Sequence, residues 1–321
     1  MPVLRLLLPV LLLAPLGCRA VDVRGERVER AYFLETRGRW LEAGEVWQGL
    51  HRQDPGDAEA VRGLARALEV QGDRSGALAV LEGARGRTDG DALVRWELAV
   101  RYERAGRLES ARDEYRAACD SDPAWAKPRI AAARLCMDVG EIREARALVE
   151  QALQLAPEDV QARTLLARCL EAEGALGPAL DVWLGLAASR GLDSSETLRA
   201  GRIALTEKRE LETAEAWVSA ARSRDPQRND LHRLHAGILV ELGRADEATE
   251  ALRRALESDP GDMDVLEDLA GLYLSAGDSE AVGTLAAHAR SVGDVELAAR
   301  LERAGKEARE ADSSRREADG G

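Results

Sequence analysis

Hydrophobic and small residues recur along this chain with a period of about 34 positions. The stretch from Ala92 to Trp125 shows the pattern clearly, and the same types of residue return one period earlier and one period later. Within each period, large apolar residues lie three or four positions apart, as Leu64 and Leu68 do. This spacing is typical of amphipathic α-helices. The chain is therefore predicted to be a series of similar helical repeats without a second, independent core.

Glycine, proline and aspartate divide each repeat into two helices. Glycine can adopt the left-handed conformation that ends a helix, proline disfavours helical geometry in the residue before it, and aspartate caps the first turn of a helix. The glycines predicted to end first helices are Gly38, Gly72, Gly106, Gly140, Gly174, Gly243 and Gly277. The prolines predicted to follow second helices are Pro55, Pro123, Pro157, Pro226 and Pro260. The aspartates predicted to cap the next first helix are Asp57, Asp91, Asp159, Asp193 and Asp262.

Two places depart from this arrangement. Pro178 is predicted to lie in the first turn of its helix, where a missing N–H group is tolerated. The sixth repeat lacks the glycine and has Lys208 and Arg209 in its place, which makes it the least regular repeat.

Second helices combine a small residue with a large one four positions later, as in Ala43 and Trp47 or Ala179 and Trp183. Small residues let neighbouring helices approach closely. The large side chains are predicted to fill the core, and replacing Trp183 by alanine is expected to cost roughly 3–5 kcal/mol.

These positions resemble the tetratricopeptide repeat family over residues 24–296. The resemblance implies an all-α fold, a right-handed α-solenoid of about eight helix-turn-helix repeats, in which the first helices line a concave groove. Residues 297–311 are expected to form a capping helix that closes the last repeat. Residues 312–321 are charged and end in glycine, and we expect them to be a disordered tail.

The N-terminal segment is typical of an export signal. Arg5 precedes an apolar run from Leu6 to Leu16, which is shorter than the about 20 residues that a membrane-spanning helix needs. The ending Leu16-Gly17-Cys18 resembles a bacterial lipoprotein signal, in which the cysteine is lipidated, although Pro15 departs from the usual apolar residue. The alternative is cleavage after Ala20, which would release a soluble protein.

The predicted boundaries follow from this interpretation. Residues 1–20 are the signal peptide, with lipid on Cys18, and residues 21–23 are a short tether. We expect a location in the cell envelope, anchored by lipid to a membrane and facing the periplasm; the alternative is a soluble periplasmic or secreted protein.

The charge of the chain limits its partners. The net charge is −13, and a general nucleic-acid binder needs a basic face against phosphate. We therefore expect a protein partner and contact with a membrane through the lipid, and no nucleic acid.

Residue patterns typical of catalysis do not stand out, and we predict neither an enzyme nor a cofactor. His232 and His235 lie one helical turn apart, a spacing that can place two imidazoles on one metal ion. They occupy positions where other repeats have packing residues, so we interpret them as core residues and predict no metal site. Cys119, Cys136 and Cys169 are interpreted as free thiols, with a Cys119–Cys136 disulfide as the alternative.

The predicted binding surface lies on the first helices. Its residues occupy one equivalent position in successive repeats, or positions beside it: Arg62, Arg66, Trp96, Val100, Arg134, Met137, Arg168, Arg202 and Arg233. A row of guanidinium groups can bind carboxylates of a partner segment in bidentate fashion. The alternative is a solvated face whose arginines pair with glutamates of the same surface. Trp96 either packs in the core or anchors a bound peptide.

The sequence thus favours a non-enzymatic interaction scaffold or adaptor of the bacterial cell envelope, which binds a segment of another protein in the groove. The alternative function is that of a self-assembling structural component of the envelope.

Overall fold

The structure is a computed structural model that describes residues 23–88 and 90–319, without the side chains of residues 312 and 314–319. The predicted signal peptide, Cys18 and most of the predicted tether lie outside the described residues. Within them the regular secondary structure consists of seventeen α-helices and contains no strand. The all-α, repeated helix-turn-helix fold class is therefore confirmed.

Eight helix pairs follow one another along the chain and precede a final helix. The first helices of the pairs are α1 (Val23–Thr36), α3 (Ala58–Val70), α5 (Ala92–Arg104), α7 (Ala126–Asp138), α9 (Val160–Ala172), α11 (Ser194–Glu207), α13 (Asn229–Glu241) and α15 (Met263–Ser275). The second helices are α2 (Trp40–Gln53), α4 (Arg74–Ala84), α6 (Leu108–Ser121), α8 (Ile142–Leu155), α10 (Leu176–Arg190), α12 (Leu211–Arg224), α14 (Ala245–Ser258) and α16 (Ser279–Ser291). The final helix is α17 (Val295–Asp319).

The chain divides into two compact units. The N-terminal unit is Met1–Ala132 and the C-terminal unit is Ala133–Gly321, so the division falls within α7. In the N-terminal unit Trp47 is fully buried among Val28, Leu34 and Leu64. In the C-terminal unit one core surrounds Trp183 and Leu180, and another forms where α14 to α17 meet.

The glycine, proline and aspartate boundaries are confirmed. All seven predicted glycines have a positive φ, between 71° and 88°. All five predicted aspartates cap a helix with the side chain, and Asp193 forms a complete capping box with Glu196. Each second helix that precedes a predicted proline ends two residues before it, as α2 does at Gln53. Pro178 lies in the first turn of α10, as predicted.

The sixth repeat makes its turn without glycine. Lys208 and Glu210 adopt the left-handed conformation, with φ values of 49° and 58°. Side chains with a Cβ atom adopt this region at a cost, because the Cβ crowds the backbone. The repeated fold therefore imposes the turn even where the sequence does not favour it.

The last helix is longer than the predicted capping helix. Leu297, Ala298 and Leu301 are buried against the preceding repeat, which is what a cap does. The helix then continues to Asp319, through most of the segment predicted to be a disordered tail. This segment contains Arg315, Arg316, Glu317 and Ala318, which favour helices, and the part of α17 before it has a Lys306–Glu310 pair at 3.7 Å. Among the described helices, none is both long and apolar enough to cross a bilayer.

Candidate functional site

The predicted binding residues all lie on first helices. In the N-terminal unit Arg62 and Arg66 lie on α3, and Trp96 and Val100 lie on α5. In the C-terminal unit the residues are Arg134 and Met137 on α7, Arg168 on α9, Arg202 on α11 and Arg233 on α13. The two sets differ in how far their charges are neutralised.

In the N-terminal unit the charge of Arg66 is already compensated. Its guanidinium donates to Glu35 at 3.3 Å and lies 4.0 Å from Glu97. It also lies over the ring of Tyr32, 5.8 Å from the ring centroid. Arg62 uses its Nε to donate to the carbonyl of Ala58 at 3.2 Å. These contacts fit the sequence-based alternative of a self-paired helix face.

Glu97 is the acidic centre of this surface. Burial raises its pKa, although Arg101, Arg66 and Arg62 act in the opposite direction. Arg101 donates to Glu97 at 3.3 Å and to Glu69 at 2.9 Å. A partner carboxylate would therefore compete with glutamates that are already in place. The sequence pattern did not indicate this role of Glu97, because the glutamates considered as partners of the arginines were at other positions on the same surface.

Trp96 belongs to an aromatic cluster in the N-terminal unit. Its ring centroid lies 5.1 Å from that of Tyr115 and 5.3 Å from that of Trp125. Such distances are typical of favourable aromatic pairs. Trp96 and Val100 are half-buried, so Trp96 combines packing with partial exposure.

In the C-terminal unit two arginines form no direct ion pair within the described residues, although Arg202 helps to lower the pKa of Asp230. Arg168 is half-buried and Arg202 is exposed, and neither forms an ion pair or a side-chain hydrogen bond within the described residues. Arg134, at the equivalent position one repeat earlier, lies 3.7 Å from Asp138 on the same helix, and both side chains are largely exposed. Exposed pairs of this kind contribute little to stability. Arg134, Arg168 and Arg202 therefore form the set of cations most available to a ligand.

Arg233 differs from these three. It pairs with Asp264 at 2.5 Å and with Asp268 at 2.6 Å, both on the next first helix. Its charge is thus neutralised between repeats. Met137 is half-buried near the end of α7.

His232 and His235 are buried and bonded within the protein. Arg222 on α12 donates to Nδ1 of both imidazoles, at 3.2 Å for His232. Each Nε2 therefore carries the proton, and it donates to the carbonyl of Pro226 at 3.1 Å or to Glu215 at 3.0 Å. Burial is the main cause that lowers the pKa of both histidines. The Nδ1 lone pairs of His232 and His235 thus both face the guanidinium of Arg222, and they are not directed at a shared metal position.

A further cluster of side chains that can bind metal ions lies around the turn between α7 and α8. The ligand atoms of Cys136, Glu141 and Glu144 all lie within 4.8 Å of one another. Sequence analysis did not single out this spacing. The carboxylates are explained by their place, because negative charge is favourable near the N-terminus of a helix such as α8. All three described cysteines are free thiols, and burial raises the pKa of Cys169 to about 11.

Comparison with known proteins gives one curated relative. The chain is 28% identical over 261 residues to cellulose synthase operon protein C of Pseudomonas fluorescens strain SBW25, which covers 74% of this chain and 20% of that protein. The chain thus spans about a fifth of the length of the relative that it matches.

Solved structures share the fold. The C-terminal part of a TPR repeat-containing protein from Cytophaga hutchinsonii aligns with a TM-score of 0.60 and 14% identity, over 75% of this chain and 99% of that one. YrrB, described as a TPR protein with an unusual peptide-binding site, aligns with a TM-score of 0.54 and 20% identity, over 58% of this chain and 96% of that one. At these identities the likeness concerns the fold alone.

Family comparison agrees with the repeated helices. Matches described as tetratricopeptide repeat cover residues 28–92, 63–124, 102–169, 137–182 and 239–304. Together they extend over most of the helix pairs seen in the structure. The chain belongs to the tetratricopeptide repeat family.

Proposed function

We propose that this protein is a non-enzymatic scaffold that binds an acidic segment of another protein on the first helices of its C-terminal unit. Members of this family generally mediate protein–protein interactions. Arg134, Arg168 and Arg202 would hold carboxylates of the partner, because guanidinium groups bind carboxylates in bidentate fashion. Helices that are fixed by their neighbours can present such groups at a small ordering cost.

The observation that supports this proposal is that neither Arg168 nor Arg202 forms a direct ion pair within the described residues. Acidic residues outnumber basic ones by 58 to 45 in this chain, and Arg66 and Arg233 are paired with carboxylates of neighbouring repeats. Arg168 and Arg202 occupy the same kind of position without such a partner. A ligand with carboxylates would give Arg168 and Arg202 the ion pairs that Arg66 and Arg233 form within the protein.

The test is crosslinking and capture of partners from membranes. The binding variant carries Arg134→Glu, Arg168→Glu and Arg202→Glu. Its control carries Arg143→Glu, Arg253→Glu and Arg309→Glu, which changes the net charge equally at exposed positions on α8, α14 and α17. We expect the binding variant alone to lose the partner. Identical partners for all three proteins would refute the proposed surface.

We further propose that the protein is exported and anchored to a membrane by lipid on Cys18. The apolar run, the Leu16-Gly17-Cys18 ending and the match to a bacterial protein support this proposal. The intact mass of membrane-extracted protein tests it, since a lipidated chain begins at Cys18 and carries the added acyl mass. A soluble chain that begins at Val21 would contradict it.

Self-assembly is the competing function. The buried contacts of Leu297 and Leu301 place α17 over the apolar face of the last repeat, which leaves the described end of the chain polar. A mass that rises with concentration in light scattering would favour self-assembly over the scaffold role.

A further inference from the structure

A basic cavity lies in the N-terminal unit, between the start of α4 and the end of α5. Its volume is about 490 Å³. Arg74, Arg101 and Arg104 line it, and Glu69 is the only carboxylate among the lining residues. The residues that line this cavity are different from the proposed docking residues, all of which lie in the C-terminal unit.

Arg101 is the buried member of this cavity. Its side chain is 10% exposed, and its guanidinium donates to Glu69 at 2.9 Å and to Glu97 at 3.3 Å. Its Nε is buried and has no hydrogen-bond partner within the described residues. Because Nε is closed to solvent, a ligand in the cavity would meet Arg101 through its terminal guanidinium nitrogens, which hold Glu69 and Glu97.

With the two outer arginines, the lining of the cavity carries more positive than negative charge. Arg74 is exposed and forms no ion pair or side-chain hydrogen bond in the part of the chain that the structure describes. Arg104 shares the single carboxylate of Glu69 with Arg101. Three guanidinium groups thus meet one lining carboxylate.

The corresponding cavity two repeats later shows that this charge is not a property of the fold. That cavity, in the C-terminal unit, has a volume of about 1040 Å³. In sequence register, Ile142, Cys169 and Ala172 replace the three arginines. Its lining carries four glutamates and two arginines: Glu141, Glu144, Glu150, Glu173, Arg143 and Arg146. The basic set is therefore particular to the N-terminal cavity.

Apart from Ser75, the remaining lining residues are apolar. Ala77 is buried and Leu78 is half-buried beneath the arginines. A ligand that fills this space would place an oxyanion against the guanidinium groups and a small apolar group against these side chains. Arginine suits this task because its planar group binds carboxylate and phosphate oxygens in pairs.

We propose that this cavity is a binding site for a small organic oxyanion, and that a phosphate monoester fits it better than a carboxylate. A phosphate monoester offers three terminal oxygens to the guanidinium groups of Arg74, Arg101 and Arg104, whereas a carboxylate offers two. Inorganic phosphate lacks the apolar part and would bind more weakly than an aryl phosphate.

Isothermal titration of the full chain with phenyl phosphate, benzoate and inorganic phosphate tests the site. We expect one site per chain, with phenyl phosphate the tightest of the three and a Kd below about 1 mM. Arg74→Ala removes a side chain without internal partners, and Arg74→Ala with Arg104→Ala removes both outer cations. The single change should weaken phenyl phosphate roughly tenfold and the double change more.

The control is Arg143→Ala, which removes an exposed arginine from the acidic cavity. It should leave the affinity unchanged. No binding of any probe at about ten times that concentration, or equal affinity in the Arg74→Ala and Arg143→Ala variants, would overturn the proposal. Tighter binding of benzoate than of phenyl phosphate would also overturn its phosphate assignment.

Discussion

The indole N–H of Trp183 on α10 donates a 2.8 Å hydrogen bond to a carboxylate oxygen of Glu171 on α9. Trp47 donates to Glu35 at 2.7 Å, and the hydroxyl of Tyr115 donates to Glu103 at 3.0 Å. In all three pairs the glutamate precedes the aromatic residue by 12 positions. The pairing explains how a polar-tipped aromatic residue fits the large core position, because its donor reaches a carboxylate at the edge of the core.

We expect Glu171→Leu to destabilise the C-terminal unit, because the indole N–H of the fully buried Trp183 would lose its acceptor. The cost should be about 1–3 kcal/mol, measured by urea unfolding. Trp183→Phe removes the donor and serves as the partner in a double-mutant cycle. After Trp183→Phe, the change Glu171→Leu should cost much less. Additive effects of the two changes would contradict the proposed coupling.

The contact of Trp47 with Gly63 gives a second prediction. A Cβ atom at Gly63 would lie 2.3 Å from the ring of Trp47, so Gly63→Ala should cost about 1–3 kcal/mol through overpacking. Gly49→Ala is the control, since a Cβ there meets nothing within 4 Å and should stabilise α2 by roughly 0.5–1 kcal/mol. Thermal unfolding measures both. Equal stability of the two variants would show that Trp47 can move aside freely.

Sequence analysis predicts the helix boundaries well, because they depend on local chemistry. A glycine at positive φ and an aspartate at an N-cap act within a few residues; such glycines end seven of the eight described first helices, and aspartates cap five of them. The length of α17 was harder to predict. The segment after Ala311 has charges and a terminal glycine that indicate disorder, but Arg315, Arg316, Glu317 and Ala318 also favour a helix.

The binding surface was less predictable, because its charges depend on contacts between repeats. Arg66 and Arg168 occupy equivalent positions, yet Arg66 meets Glu35 and Glu97, whereas Arg168 pairs with no carboxylate in the part of the chain that the structure describes. A single repeat pattern does not show which arginine will be paired. The glutamate 12 residues before each of Trp47, Tyr115 and Trp183 was a signal that the sequence did contain.

The left-handed Lys208 gives a third prediction. Lys208→Gly should make the protein more stable than Lys208→Ala by about 1 kcal/mol, because alanine keeps the strained Cβ and glycine removes it. Both changes remove the ion pair with Glu241, which is formed by a side chain that is 66% exposed and contributes little. Urea unfolding measures the difference. Equal stability of the two variants would contradict strain at this turn.

The last prediction concerns the two histidines around Arg222. Two other charged groups act on His235: Glu215, which lies on α12 as Arg222 does, and Arg244 at the start of α14. Protonation of Nδ1 would remove its hydrogen bond from Arg222 and place two cations together. Because burial lowers the pKa of both histidines, the unfolded state binds their protons more readily than the folded state does. This contribution to stability is present above the ordinary histidine pKa of 6.5 and is lost as the pH falls below it.

We therefore expect hydrogen exchange in α12 and α13 to accelerate between about pH 7.5 and pH 5.5, after correction for the intrinsic rate, because acid favours the open state that takes up protons. Each histidine can contribute at most about 1.4 kcal/mol per pH unit. His232→Gln with His235→Gln should flatten this dependence, whereas His288→Gln on α16 should leave it intact. A pH dependence that persists in the double variant would assign the effect to other groups, because glutamine keeps a polar side chain and cannot titrate.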